Sequence, residues 1–250
     1  MAPASQPEFA SFEFKPVALV ESCFKSKFGI PRQPGLIAEA RGSIVLLPPY
    51  NQPNIVRGLE DFSHIWVIFV FHEALREDWK ATVRPPRLGG ETRIGVFASR
   101  SPFRPMPIGL SALKLEKLNI AAHGRISLEV SGLDLLDGTP VLDIKPYLPY
   151  TDAIATAQGG FAKEAPAADA LQVKCSEKAT RQLEELRKAG RQDLVRLCLK
   201  MIAADPRPAY RREPQRQYSI FLEDYELIWK AGVETGQAEI MELRKNTSKK

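Results

Sequence analysis

Between Arg100 and Gly109 the chain reads RSPFRPMPIG, two arginines set among three prolines. Guanidinium groups grip carboxylates and phosphates through two-pronged hydrogen bonds. Proline fixes φ, removes its own N–H and pushes the residue before it into extended backbone. A loop so constrained has little freedom left to lose when a ligand arrives. A second stretch, LDLLDGTPVLDIKPYLPY from Leu133 to Tyr150, carries Asp134, Asp137 and Asp143, with Lys145 and Tyr147 behind them. A tight turn accounts for Asp137 and Gly138 alone, but not for carboxylates on both sides of it. From the residues themselves, a rigid surface crossover or a Pro-rich ligand for another domain explains the first stretch equally well.

Other chemistries find less support. His64 and His72, eight residues apart on one expected strand, stand about 26 Å apart and cannot share a metal, and His123 falls in a turn-like AAHGR. No G-x-S-x-G surrounds Ser43, Ser99 or Ser111. RLGGETRIG lacks the order and the strand-to-helix context of a dinucleotide fingerprint, and no phosphate-binding G-x-x-x-x-G-K-[ST] occurs. Arginine beside carboxylates instead suits a ligand that is part anion, part cation and part flat base. S-adenosylmethionine has that make-up: a sulfonium for carbonyl oxygens and carboxylates, a carboxylate for arginine, and an adenine for apolar walls.

The elements that must hold these residues are short strands. FEFKPVALVES, SIVLLPP, HIWVIFVFH, TRIGVFAS, LSALKLEKL, RISLEVSGL and PVLDIKPYL follow one another with Pro and Gly between them. Ile126, Leu128 and Val130 alternate with Arg125, Ser127 and Glu129, the period of a half-buried strand. HIWVIFVFH, apolar on both faces, belongs in the centre of its sheet. Repeated strands without intervening helices predict a mainly β N-terminal domain, an antiparallel barrel or sandwich, rather than a doubly wound sheet. Residues 152–170, rich in Ala and Gly, read as a linker or mobile loop. Ser176 is a candidate helix cap, and Leu183, Leu186, Leu194, Leu197 and Ile202 space one or two amphipathic helices broken near Gly190. Two further strand-like stretches, YSIFLEDYELIW and ETGQAEIMEL, make residues 171–250 a small α+β domain.

The 250 residues carry a net charge of +5. Six basic residues against Glu91 between Lys80 and Arg104 give that segment the same excess, a solvated loop or a polyanion contact. Cys23, Cys175 and Cys198 are far apart with no C-x-x-C, so no metal is expected. The longest apolar run is strand-sized and the N-terminus lacks an export pattern, so a cytoplasmic location is expected.

Five motifs in order carry a family resemblance: PRQPGL, RGLEDFSHIWVIFVFH, GVFASRSPFRPMPIG, LDLLDGTPVLDIKPYLPY and DPRPAY. The chain resembles the TsaA-like family, whose characterised bacterial members methylate tRNA. The resemblance implies a non-Rossmann β-barrel over residues 1–151 that binds S-adenosylmethionine, with the C-terminal domain assisting tRNA binding. It implies a homodimer with the cofactor near the subunit interface, and methylation of N6 of N6-threonylcarbamoyladenosine at position 37 of threonine tRNA. The family loop usually reads R-P-N-P-I-G, whereas Met106 stands here in place of the asparagine, offering a thioether to cofactor or base. Carried over motif by motif, cofactor contacts fall on Gln33, Pro34, Gly35, His72, Glu73, Arg100, Leu110, Asp134, Leu135, Leu136, Asp137, Gly138 and Thr139.

The acceptor nitrogen belongs to a urea and must lose its proton, so a base is useful. Asp143 and Tyr147 are the candidates, with Lys145 able to tune a neighbour or hold phosphate; the alternative makes Asp143 a solvent-facing strand residue. Arg84, Arg87, Arg104, Arg207, Arg211, Arg212 and Arg216 are expected on the tRNA backbone, and Tyr210 or Tyr218 on a loop base. A non-catalytic RNA-binding or cofactor-sensing barrel, and a methyltransferase of another RNA or a small metabolite, are the competing readings.

Overall fold

Alternation of buried and exposed residues closes the N-terminal strands on themselves. The computed structural model describes residues 12–207, 216–232 and 236–246. In chain order the elements are β1 (Ala18–Ser22), β2 (Arg41–Leu46), β3 (His64–Val70), β4 (Thr82–Val83), β5 (Ile94–Gly95), β6 (Ile108–Ile120), β7 (Ile126–Ser131), β8 (Pro140–Pro146), α1 (Pro149–Asp152), β9 (Gln172–Cys175), α2 (Glu177–Lys188), α3 (Gln192–Ala203), β10 (Gln217–Leu222), β11 (Tyr225–Ala231) and β12 (Gln237–Lys245). Six strands form a closed barrel in the order β1-β2-β7-β6-β3-β8, every neighbouring pair antiparallel. Ile65 and Val67 of β3, Leu113 of β6 and Ile126, Leu128 and Val130 of β7 point inward and are buried. Closure gives each barrel strand a neighbour on both sides.

Strand β6 is the long member, because its first half pairs with β3 and its second with β7. Val70 faces Ile108 and His64 faces Lys114, after which Lys114 faces Ser131 and Ile120 faces Ile126. The stretch of β6 from Ile108 to Leu113 therefore has no β7 partner, and the segment after Ser131 lies free to fold over the barrel mouth.

Two expectations change here. Strand β3 stops at Val70, so His72 sits in a following 3-10 turn and not on the strand with His64. TRIGVFAS supplies only the two residues of β5, whose sole partner is the two-residue β4, and then turns at Val96.

Ser176 caps α2, its hydroxyl accepting the Ala179 N–H at 3.1 Å. The second sheet has the order β10-β11-β12-β9, with β9 parallel to β12. YSIFLEDYELIW is a hairpin: Glu223, at φ 51°, turns β10 back onto β11. The barrel joins this sheet at its β10 edge, where the Lys25 N–H donates to the Phe221 carbonyl and the Glu223 N–H to the Cys23 carbonyl. Phe24 and Leu222 pair there, and one hydrophobic core runs through both units. Among the described residues no helix is long and apolar enough to cross a membrane.

Candidate active site

The inward-facing row of β6 reads Gly109, Ser111, Leu113, so its small residues cluster at the mouth. Gly109 is required by packing, because a Cβ there would meet the Phe69 ring at 2.2 Å. Ser111 is 1% exposed. Its hydroxyl donates to Asp134 Oδ1 at 2.8 Å. Asp134 reaches this position because the chain reverses at Gly132, φ 70°, where a Cβ would press on the backbone of Gly35 at 3.0 Å. The Gly35 N–H donates to the Gly132 carbonyl at 2.8 Å, tying the PRQPGL loop to the segment that carries Asp134.

Burial pushes the Asp134 carboxyl up to about 6, against the opposing pull of the Ser111 hydroxyl and the Arg100 charge. Desolvation disfavours the ionised form of a carboxylate. Arg100 donates to Gln33 Oε1 at 2.5 Å. Arg100–Gln33 and Ser111–Asp134 are thus two hydrogen-bonded pairs of one polar cluster, drawn from four separate parts of the chain, with the Arg100 charge acting on Asp134. The cluster holds a buried carboxylate and a forked cation without an ion pair between them.

The remaining expected residues fall around this group unequally. Pro34 is half-buried beside it, and Leu110 points outward on β6, next to Ser111. His72 is half-buried, and the neighbouring Glu73 carboxylate takes Lys27 Nζ at 3.1 Å. Asp137 is committed to the fold: one oxygen accepts the Ser22 N–H at 2.8 Å and the other meets Lys25 at 2.9 Å. Gly138 donates its N–H to the Val20 carbonyl, and the Thr139 hydroxyl donates to the Leu136 carbonyl. Leu135 and Thr139 are buried at 2% and 3% exposure. Their side chains and that of Asp137 are engaged within the barrel.

Asp143, Lys145 and Tyr147 lie elsewhere. Asp143 and Lys145 are opposite Ile68 and Trp66 on the outer wall of the barrel, and Tyr147 packs on Trp66 at 5.4 Å and near His64 at 6.2 Å. Asp143 is two strands from Leu110, roughly 10 Å. Its carboxylate accepts the Ile144 N–H and pairs with Lys145 at 2.7 Å. Val141 of the same strand faces inward, and the register shift opposite Ile68 and Phe69 turns Asp143 and Lys145 to the outer side, away from the Arg100–Asp134 group of their own chain.

Two of the residues expected on RNA are buried in the fold. Arg207 is 4% exposed, its guanidinium held by Asp205 at 2.6 and 2.9 Å and by the Gly232 carbonyl at 3.3 Å. Tyr218 is stacked on Trp229 and Phe28 at centroid distances of 5.0 and 6.1 Å. Arg84 and Arg87 are exposed, Arg104 donates to the Ser99 carbonyl at 3.1 Å, and Arg216 lies 5.7 Å from the Tyr218 ring. Tyr210, Arg211 and Arg212 lie outside the described residues. Ser111 is the residue that motif reading missed. Its signal is a lone hydroxyl at an inward position of a strand.

The fold is a closed antiparallel barrel outside the doubly wound class, and the charges of Arg100 and Asp134 suit a ligand bearing both signs. Family models narrow this: tRNA-methyltransferase O N-terminal domain matches residues 19–153 and TrmO C-terminal domain matches 168–246. The chain belongs to this family. It is 45% identical over 223 residues to the tRNA (adenine(37)-N6)-methyltransferase of Escherichia coli, covering 88% of this chain and 94% of that one. The enzyme of the same name from Eikenella corrodens is 48% identical over 178 residues, 71% of this chain and 94% of that one. A crystal structure of TrmO from P. aeruginosa superposes with a TM-score of 0.77 at 39% identity, covering 96% of this chain and all of the other.

Proposed function

We propose that the chain transfers a methyl group from S-adenosylmethionine to N6 of adenosine 37 in tRNA, with N6-threonylcarbamoyladenosine of threonine tRNA as the acceptor. The observation that carries the cofactor assignment is an Arg100 guanidinium, without an ion pair among the described residues, near the Asp134 carboxylate: the one suited to the amino-acid carboxylate, the other, desolvated, suited to the cationic half. The relatives named as tRNA (adenine(37)-N6)-methyltransferases support the acceptor.

When bound, S-adenosylmethionine would supply an electrophilic methyl carbon: the N6–methyl bond would form as the methyl–sulfur bond breaks, the neutral thioether would leave and the N6 proton would pass to solvent. The chain's own work is alignment and exclusion of water. Gln33 holds the Arg100 guanidinium, Ser111 holds the Asp134 carboxylate, and Pro102, Pro105 and Pro107 keep the loop between them from rearranging. Leu110, 51% exposed, and Ile108, 38% exposed, make the outer side of β6 apolar. That face supports a homodimer in which a second copy covers the site.

The test is transfer of labelled methyl from S-adenosylmethionine to purified tRNA, followed by nucleoside mass spectrometry. Methylated N6-threonylcarbamoyladenosine in threonine tRNA is the expected product. Cofactor binding without transfer to any tRNA would favour a sensing module, and transfer to another nucleoside would move the acceptor.

A further inference from the structure

From Arg76 to Arg104 the chain has seven basic residues, and among the described residues none of them has a carboxylate within ion-pair distance, although Glu77, Asp78 and Glu91 lie in the same segment. Elsewhere opposite charges pair, as in Arg125–Glu21 at 2.7 Å, Arg191–Asp224 at 2.7 Å and Lys178–Glu242 at 2.6 Å. Two phenylalanine rings stand out of the same surface. Phe97 is 79% exposed with the Arg104 guanidinium 5.9 Å from its centroid, and Phe103 is 45% exposed with that of Arg76 at 4.2 Å. Arg100 of the cofactor group lies between the two rings in sequence, three residues from each.

Cations without acids demand an outside anion, and flat rings in water demand a flat partner. A repeating anion with unpaired, stackable faces meets both demands, which describes a single-stranded RNA loop. An isologous contact of this patch with itself would bring cation onto cation. We propose that Phe97 and Phe103, with Arg104 and Arg76 beside them, stack the unpaired bases next to the acceptor while the surrounding arginines take the phosphates. This rests on the tRNA reading above and adds to it the residues that splay the loop open.

The experiment measures binding of the full chain to an RNA stem-loop and to a fully paired duplex of equal charge, with molar mass followed by light scattering. Phe97→Ala and Phe103→Ala should each weaken stem-loop binding by about tenfold, leave duplex binding unchanged and leave S-adenosylmethionine affinity unchanged. Phe97→Trp should keep stem-loop affinity. Equal losses on both probes, no loss on the stem-loop, or a fall in molar mass would overturn the stacking role. A wild-type chain that binds neither RNA would overturn the tRNA reading itself.

Discussion

The Ser111 hydroxyl donates to the Asp134 carboxylate at 2.8 Å inside the barrel mouth. This bond opposes the burial that pushes Asp134 up to about 6. Only the ionised form attracts a cation, so affinity for S-adenosylmethionine should hold at neutral pH and fall as pH drops through about 6. Ser111→Ala removes a contribution that favours the ionised form, which should move the midpoint to higher pH. Calorimetric titration of the cofactor from pH 5 to pH 8 reads both; a midpoint unmoved by Ser111→Ala would refute the coupling.

Asp134→Asn should separate stability from function. The carboxyl sits near 3.8 when solvated and about 6 when folded, so ionisation disfavours the folded state. Stability attached to this group is full below about 3.8 and is lost as pH rises through about 6, by on the order of 3 kcal/mol at most. Asparagine keeps an acceptor for Ser111 and carries no charge. The variant should therefore melt at higher temperature than wild type at pH 8, with the gap closing at pH 4, while cofactor affinity falls at least about tenfold.

Asp143→Asn and Tyr147→Phe should leave single-turnover methylation within a few-fold of wild type, since both residues stand on the outer wall and Asp143 is paired with Lys145. A loss matching that of Asp134→Asn would restore Asp143 and Tyr147 as proton acceptors, reached across a subunit boundary.

Arg207 and Arg84 make a contrasting pair. Arg207→Ala removes a buried guanidinium and its pair with Asp205 and should cost about 3 kcal/mol of stability, as expected for a broken buried pair, with the salt dependence of tRNA binding unchanged. Arg84→Ala should leave the melting temperature alone and lower the salt slope by roughly 0.7. Thermal scans and binding at several salt concentrations decide both.

The strands were legible in the sequence because a strand records its buried face locally: Ile126, Leu128 and Val130 show the period whether or not the partner strands are known, while the choice of barrel over sandwich rested on the family resemblance. The helices were legible for the same reason, with Ser176 and Gly190 marking their limits. The hairpin in YSIFLEDYELIW was not, since apolar residues continue through the turn and only Glu223 at positive φ breaks the strand.

For the site, residue types marked Arg100 and three nearby carboxylates as candidates for ligand binding, and the family resemblance of the motifs in order pointed to a methyl donor. They could not separate Asp134 from Asp137 and Asp143, three carboxylates within ten residues of one another. The tertiary structure decided that: Asp134 faces Ser111, Asp137 is spent on Lys25 and Ser22, and Asp143 lies on the outer wall. Desolvation and partner identity depend on strands β1, β3 and β6, which are distant in sequence. Arg207 shows the same limit, reading as one more surface cation until the fold closes over it.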